Sequence, residues 1–414
     1  MKKPFLKILS NQNFLKIWLS QVFSLVSAAT LTFVLIGKIF SQTQSSVAVS
    51  LYLFFYYLPT FILGPFVGVF IDSWSRKTIL FYSNLIQAVL VLIFLLVSKK
   101  LWPLYTLGFL YSLGDEFYNP TVGASIPSLV KKKDLTAANS LFFITTQTSI
   151  IFGSLLGGLI LKFFANPNDV YLIVCATLVF ASLLVINLPA KLLEGQKKLR
   201  LDLTKPKEFF KSLETGYLFI KSEPMVLFPI VLLAGLQVLI GMSLILLPSL
   251  AKMIRLAYAD SSILLIIPAA AGALTGSWFL NHQAGRTRKN IFIFTGFSIL
   301  GFSLLTLPFL AHVFLYPTFL AIFVGLTVGI GYVFVYIPLQ TLIQENTPFK
   351  VRGRVFGALS TLITLAAVIP MLITTTLADI VGLEPVLFLI GAGLLVLTFL
   401  ARRNKEAIIA FNGK

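Results

Sequence analysis

One cysteine, Cys175, and two histidines, His282 and His312, are all that this 414-residue sequence offers of the side chains that most often bind metals or act as nucleophile and base. A lone thiol cannot close a disulfide within the chain, and a cysteine-based metal site is excluded with it. The histidines stand near the ends of two separate apolar stretches, so neither a metal pair nor a catalytic constellation is spaced into the chain. Charge is scarce as well. Asp, Glu, Lys and Arg together make up 12% of the residues, about half the fraction of an ordinary soluble protein. Acid is scarcer than base, with 15 Asp and Glu against 33 Lys and Arg.

What fills the chain instead is apolar. Hydrophobic residues make up 57% and the mean hydropathy is +0.93. Twelve apolar runs, the first centred near Ala28 and the last near Gly393, each reach the roughly 20 residues that span a bilayer as a helix. The first lacks a small-residue cleavage site, so it reads as a retained helix and not a signal peptide. The expected fold class is an all-α integral membrane protein of twelve transmembrane helices in two six-helix bundles.

The formal net charge of +18 invites a nucleic-acid reading, but the positions of the basic residues oppose it. With twelve spans, both termini and the loops after the even-numbered spans share one side of the membrane. Only Lys99, Lys100, Lys162, Lys252 and Arg255 fall on the other side, with Lys38 inside the first span, where it is expected to snorkel outward. By the positive-inside rule the basic side, and with it both termini, is cytoplasmic. The basic excess is then a topology signal with some attraction for anionic lipid, and no nucleic-acid partner is expected.

Between the sixth and seventh spans the chain turns polar from Lys191 to about Ser222, and Phe209, Phe210, Leu213, Tyr217 and Ile220 have the spacing of an amphipathic surface helix. The expected organisation is an N-terminal bundle over 1–190, a cytoplasmic linker over 191–222 and a C-terminal bundle with a short tail over 223–414. Six spans on each side of a long cytoplasmic connection is the pattern of secondary transporters, in which two half-domains rock about a central site.

Against this apolar background Asp115 and Glu116 stand out, midway along the run from Pro103 to Pro127. An acid at that depth is costly and marks a functional site by default. Desolvation disfavours a charged carboxylate and a like neighbour adds to the effect, so one of the pair is a candidate proton carrier. On a helical wheel Gly108, Ser112, Asp115, Glu116, Asn119 and Gly123 share an arc of roughly 100°. Span ten carries a similar stripe, Gly325, Gly329, Tyr336, Gln340 and Gln344 with Tyr332 beside it; span one adds Gln21, Ser24 and Thr32, and span seven Gln237. Lipid penalises such stripes, so they face water, solute or another helix. The residues alone leave open which acid titrates, and whether one of them merely pairs with a polar neighbour on span two or five, such as Tyr56, Thr145, Thr146 or Gln147.

The loop after span two reads Gly64-Pro-Phe-Val-Gly68-Val-Phe-Ile-Asp72-Ser-Trp-Ser-Arg76-Lys77. It resembles the loop pattern G-x-x-x-D-[RK]-x-G-R-[RK] of the major facilitator superfamily, with Ser73 and Ser75 departing from it. Gly68, Asp72, Arg76 and Lys77 are the implied gating motif. Asn119-Pro120, Ile126-Pro127-Ser-Leu-Val130, Leu135 and Ala138-Asn139-Ser-Leu141 in the first half, and Pro338 to Pro348 with Arg352-Gly-Arg-Val-Phe-Gly357 in the second, are similar to the enterobactin-exporter and macrolide-efflux branch, drug:proton antiporters of the third type. The span-four arginine of many drug antiporters, in an R-x-x-x-G pattern, is absent.

The resemblance implies that spans one, four, seven and ten line a cavity. It implies export of a small amphipathic solute, drug-like, macrolide or siderophore, in exchange for protons, with no cofactor, metal or enzymatic activity. A lysophospholipid flippase on the same fold is the alternative. Asp115 and Glu116 would couple protons or bind substrate, with Gln21, Ser24, Ser112, Asn119, Gln237, Tyr332, Tyr336, Gln340 and Gln344 lining the cavity. Glu345 would clamp Arg352 or Arg354 on the cytoplasmic side, and Asp379 is expected to be an ordinary interfacial residue. The implied setting is a bacterial cytoplasmic membrane, with lipid around the protein and a monomer as the working form.

Overall fold

The computed structural model describes residues 8–97, 100–131, 134–164, 166, 168–189, 218, 220–283, 287–313, 316–347, 370 and 372–403. Most of the 191–222 linker, with its expected amphipathic helix, lies outside them. Among the described residues twelve helices follow in chain order: α1 (Gln12–Thr43), α2 (Ser46–Ser73), α3 (Arg76–Val97), α4 (Leu101–Leu129), α5 (Leu135–Phe163), α6 (Asp169–Ile186), α7 (Pro224–Met253), α8 (Tyr258–His282), α9 (Lys289–Val313), α10 (Pro317–Asn346), α11 (Leu372–Val381) and α12 (Leu383–Arg403). No strand occurs among the described residues, and ten of the helices are long and apolar enough to cross a membrane. The exceptions are α4, whose polar stripe lowers its hydropathy, and α11, of which only the last turns are described. Large apolar side chains such as Leu96, Leu274, Phe309 and Ile380 lie exposed, as a lipid-facing surface requires.

Contacts divide the chain into two compact units, Met1–Ile39 with Leu51–Phe209 and Phe40–Ser50 with Phe210–Lys414. In the first, α3 packs along α4 and α6 over a core that includes Phe14, Ile17, Leu80, Tyr118, Ile126 and Val185. In the second, α10 is the central helix and α7, α8 and α9 all pack on it, burying Val226, Leu233, Ile293, Val335, Leu339 and Ile343. The α1–α2 corner is tight. Gln44 turns the chain with φ of 53°, its amide donating to Phe40 O at 2.7 Å, and Ser45 Oγ accepts from Ala48 N at 3.2 Å as the N-cap of α2.

Helices in lipid gain no hydrophobic drive from meeting each other, so close van der Waals packing at small residues has to hold them. The contact between α8 and α10 is built this way. A Cβ added at Gly329 would stand 1.9 Å from Ala269 O, one at Gly325 2.6 Å from Leu265 O, and one at Gly272 2.2 Å from Leu326 O. Leu265 lies in a π-helical turn of α8, Ser262–Ile266. Gly329→Ala therefore presses a methyl group against a backbone carbonyl that cannot rotate away. The expected loss is about 1–3 kcal/mol of stability, read as a lower melting temperature of the purified protein. Gly123→Ala, which meets nothing within 4 Å, should melt within about 0.5 kcal/mol of the parent. Equal melting of the two variants would sink this account of the helix pair.

Candidate functional site

In the first unit, α2 and α3 deliver polar side chains to the acids of α4. Tyr56 and Thr60 are one turn apart on α2 and so share a face. The Tyr56 hydroxyl donates to Asp115 Oδ2 at 2.9 Å and the Thr60 hydroxyl to Glu116 Oε1 at 2.6 Å. From α3, Gln87 Nε2 donates to Asp115 Oδ1 at 2.9 Å and to the Tyr111 carbonyl at 3.1 Å. Gly114 makes room for this reach, since a Cβ there would sit 2.7–2.9 Å from Gln87 Cγ, Cδ and Nε2. Both oxygens of Asp115 thus accept from neutral donors, and neither acid has a cationic partner among the described residues.

A second polar link ties α1, α3 and α4 together. Ser20 Oγ shares a hydrogen with Tyr118 OH at 2.8 Å and accepts from Asn84 Nδ2 at 3.4 Å, with all three side chains buried. Along α4 the predicted stripe grades outward. Gly108 and Ser112 are buried, Asp115 and Glu116 half-buried, and Asn119 and Gly123 exposed. Gln21 and Ser24 on α1 are buried. Gln87 Oε1, Tyr111 OH and Gln21 Oε1 are buried with no hydrogen-bond partner among the described residues. Such atoms are rare in finished structures, and they give the site capacity to bind a polar group.

In the second unit the Tyr332 and Tyr336 rings stack on α10, centroids 5.3 Å apart and planes 21° from parallel. Tyr332 OH donates to Gln237 Oε1 of α7, and Gln340 Nε2 to Tyr336 OH, each at 3.4 Å. All four side chains are half-buried, so a polar and aromatic ladder runs along α10 and onto α7. The predicted span-ten stripe needs one correction: Gly325 and Gly329 do not continue the ladder but form the α8 contact, because only glycine permits that approach.

The remaining expected residues fall elsewhere. Arg76 Nη1 donates to Ala124 O at 2.7 Å and Lys77 Nζ to Leu188 O at 2.7 Å, so both bind backbone within their own bundle. Gly68 and Asp72 lie on α2 and Gln344 on α10, and the surroundings of all three lie outside the described set. Glu345 forms an ion pair with Lys289 of α9, and Arg352 and Arg354, its expected partners, lie outside the described residues. Thr145 accepts from Trp18 Nε1 at 2.8 Å, so among the described contacts both acids take their hydroxyl partner from α2. Lys38 donates to Tyr171 OH at 3.2 Å. Sequence reasoning missed Thr60, Gln87, Asn84 and Ser20 as site residues. Asn84 and Gln87 carried a signal, two polar residues one turn apart in the apolar run of α3.

A chain of membrane-spanning helices in two bundles, with carboxylates held by neutral donors and a tyrosine–glutamine ladder at bilayer depth, has the architecture of a secondary transporter. Its sequence matches the Major Facilitator Superfamily over residues 17–371, and the chain belongs to that family. It is 26% identical over 382 residues to the uncharacterised MFS-type transporter YfiS of Bacillus subtilis, covering 89% of this chain and 87% of that protein. It is also 26% identical to macrolide efflux protein A of Streptococcus pyogenes, over 90% of each chain. Among solved structures it superposes on a point mutant of the nucleoside transporter NupG with a TM-score of 0.69, over 94% of this chain and 98% of that one. At 15% identity this last likeness concerns the fold alone.

Because Gln87 and Asp115 contact each other directly, removing either leaves the other buried and short of a partner. Gln87→Leu and Asp115→Leu should each destabilise the protein by roughly 1–3 kcal/mol, and the double variant by clearly less than the sum. Denaturation of the three variants beside the parent measures this. Strict additivity would mean that the Gln87–Asp115 bond does not contribute.

Proposed function

We propose that this transporter exports a small amphipathic solute across a bacterial cytoplasmic membrane in exchange for protons, by alternating access, with Asp115 as the proton carrier. The observation that carries this reading is the surroundings of Asp115: a carboxylate in mid-helix whose oxygens meet, among the described residues, only the neutral donors Tyr56 and Gln87. With no cationic partner for it among the described residues, a proton is the simplest species that neutralises it at bilayer depth. Glu116, held by the single hydroxyl of Thr60, is the freer acid and suits a cationic group on the solute. The stacked Tyr332–Tyr336 pair and Gln340 and Gln237 supply aromatic faces and hydrogen bonds, which fits an amphipathic cargo with an aromatic or macrocyclic body. Export as the direction draws support from the likeness to macrolide efflux protein A. The proton gradient drives the cycle with no cofactor, and one chain suffices.

Everted membrane vesicles with an imposed pH gradient test the reading, using dye and macrolide cargoes beside a fluorescent lysolipid. Asp115→Asn should lose uphill accumulation while still exchanging solute without a gradient. Glu116→Gln should keep proton-driven accumulation and lose preference for cationic over neutral cargo. Undiminished uphill transport by Asp115→Asn would remove it as the proton carrier. Movement of lysolipid alone would replace solute export with lipid transport.

A further inference from the structure

Asp379, near the end of α11, is not the ordinary interfacial residue that the sequence leads one to expect. Its Oδ1 accepts from Ser46 N at 2.8 Å, and its Oδ2 accepts from Val47 N at 3.0 Å and from the Ser45 hydroxyl. These are the first residues of α2, whose leading amides have no acceptor within the helix. A carboxylate there satisfies two of them and meets the positive end of the helix dipole. Three further bonds hold the same segment: Lys252 Nζ donates to Gln44 Oε1 at 3.0 Å, Thr375 Oγ1 donates to Ser50 Oγ at 3.0 Å, and Ser46 Oγ shares a hydrogen with Ser249 Oγ at 2.9 Å. Accordingly Phe40–Ser50 groups with the second unit, whereas the rest of α1 and α2 belongs to the first.

The chain is thus divided at an unusual place. Eleven residues at the ends of α1 and α2 group with the second unit, to which their partners Asp379, Lys252 and Thr375 also belong. The lysine and arginine distribution assigns this corner to the outer face. Hydrogen bonds to charged groups are about twice as strong as neutral ones, so Asp379, with three such bonds against one from Lys252, is the firmest of the ties. We propose that Asp379 is a gating residue: by capping α2 it latches the α1–α2 corner at the outer face, and this latch opens when a solute passes on that side. Ser45 belongs to the device, because its hydroxyl both accepts from Ala48 N and donates to Asp379. The proposal rests on transport by alternating access and is independent of which ion drives it.

The experiment uses full-length protein carrying Cys175→Ser, so that one introduced thiol is the only one. Val49, on the first turn of α2, is fully buried; Val49→Cys therefore reports opening of the corner to a membrane-impermeant maleimide added from outside. Val91→Cys, equally buried on α3, reports general loosening. With the latch as described, Asp379→Ala raises the labelling rate at Val49→Cys by at least about five-fold, leaves Val91→Cys unchanged, and Asp379→Glu restores slow labelling. No rise at Val49→Cys would overturn the proposal. So would an equal rise at both thiols, since that reports a destabilised protein and not a released gate. A rise at Val49→Cys that Asp379→Glu fails to reverse would also overturn it, because a carboxylate would then not be what holds the corner.

Discussion

Polar groups at bilayer depth have to find their partners inside the protein, because lipid offers none. The Asp115 carboxylate, accepting from Tyr56 on α2 and Gln87 on α3, is where that constraint bears hardest. Meeting it sets the spacing of three helices. Gly114 is needed so that Gln87 fits beside α4, and Gln87 spends its amide hydrogens on Asp115 and the Tyr111 carbonyl. The Ser20–Tyr118–Asn84 group applies the same solution nearby and brings in α1. The polar site is therefore also much of what holds the first bundle together, and a change in the charge of Asp115 is felt by three helices at once.

The second bundle solves its packing differently. Its central helix is held against α8 through glycines that allow backbone to meet backbone, and against α7 and α9 through an aliphatic core. Its polar residues form a ladder of half-buried side chains joined by long hydrogen bonds. Those bonds are long, at 3.4 Å, whereas Asp115 is held by shorter bonds of 2.9 Å on both of its oxygens. The two halves thus divide between a hydrogen-bonded carboxylate and a half-buried aromatic and amide ladder.

Much of this was legible in the sequence, and for physical reasons. Twelve apolar runs and the one-sided placement of basic residues report directly on the membrane, so the fold class follows from composition and order. Asp115, Glu116 and the tyrosine–glutamine stripe stood out because polar residues in lipid are rare. What could not be read was pairing. The wheel put Gly325 and Gly329 on the same stripe as Tyr336, yet neighbouring helices divide that stripe between packing and polar duty. Gln87 was overlooked because an uncharged amide draws less notice than an acid, although it decides how the acid is held. Asp379 looked interfacial because its partners lie more than three hundred positions away in the chain, a separation no local pattern reports.

The backbone contact between α8 and α10 has a consequence for how the polar face of α10 can vary. Where main chain rests on main chain, the rotational setting of α10 does not depend on the identity of the side chains it displays. Tyr332, Tyr336 and Gln340 can then be exchanged one at a time, as type is exchanged in a fixed frame, while Gly325 and Gly329 hold the register. Sequence divergence on this helix should accumulate on the ladder, and the glycines opposite should stay silent.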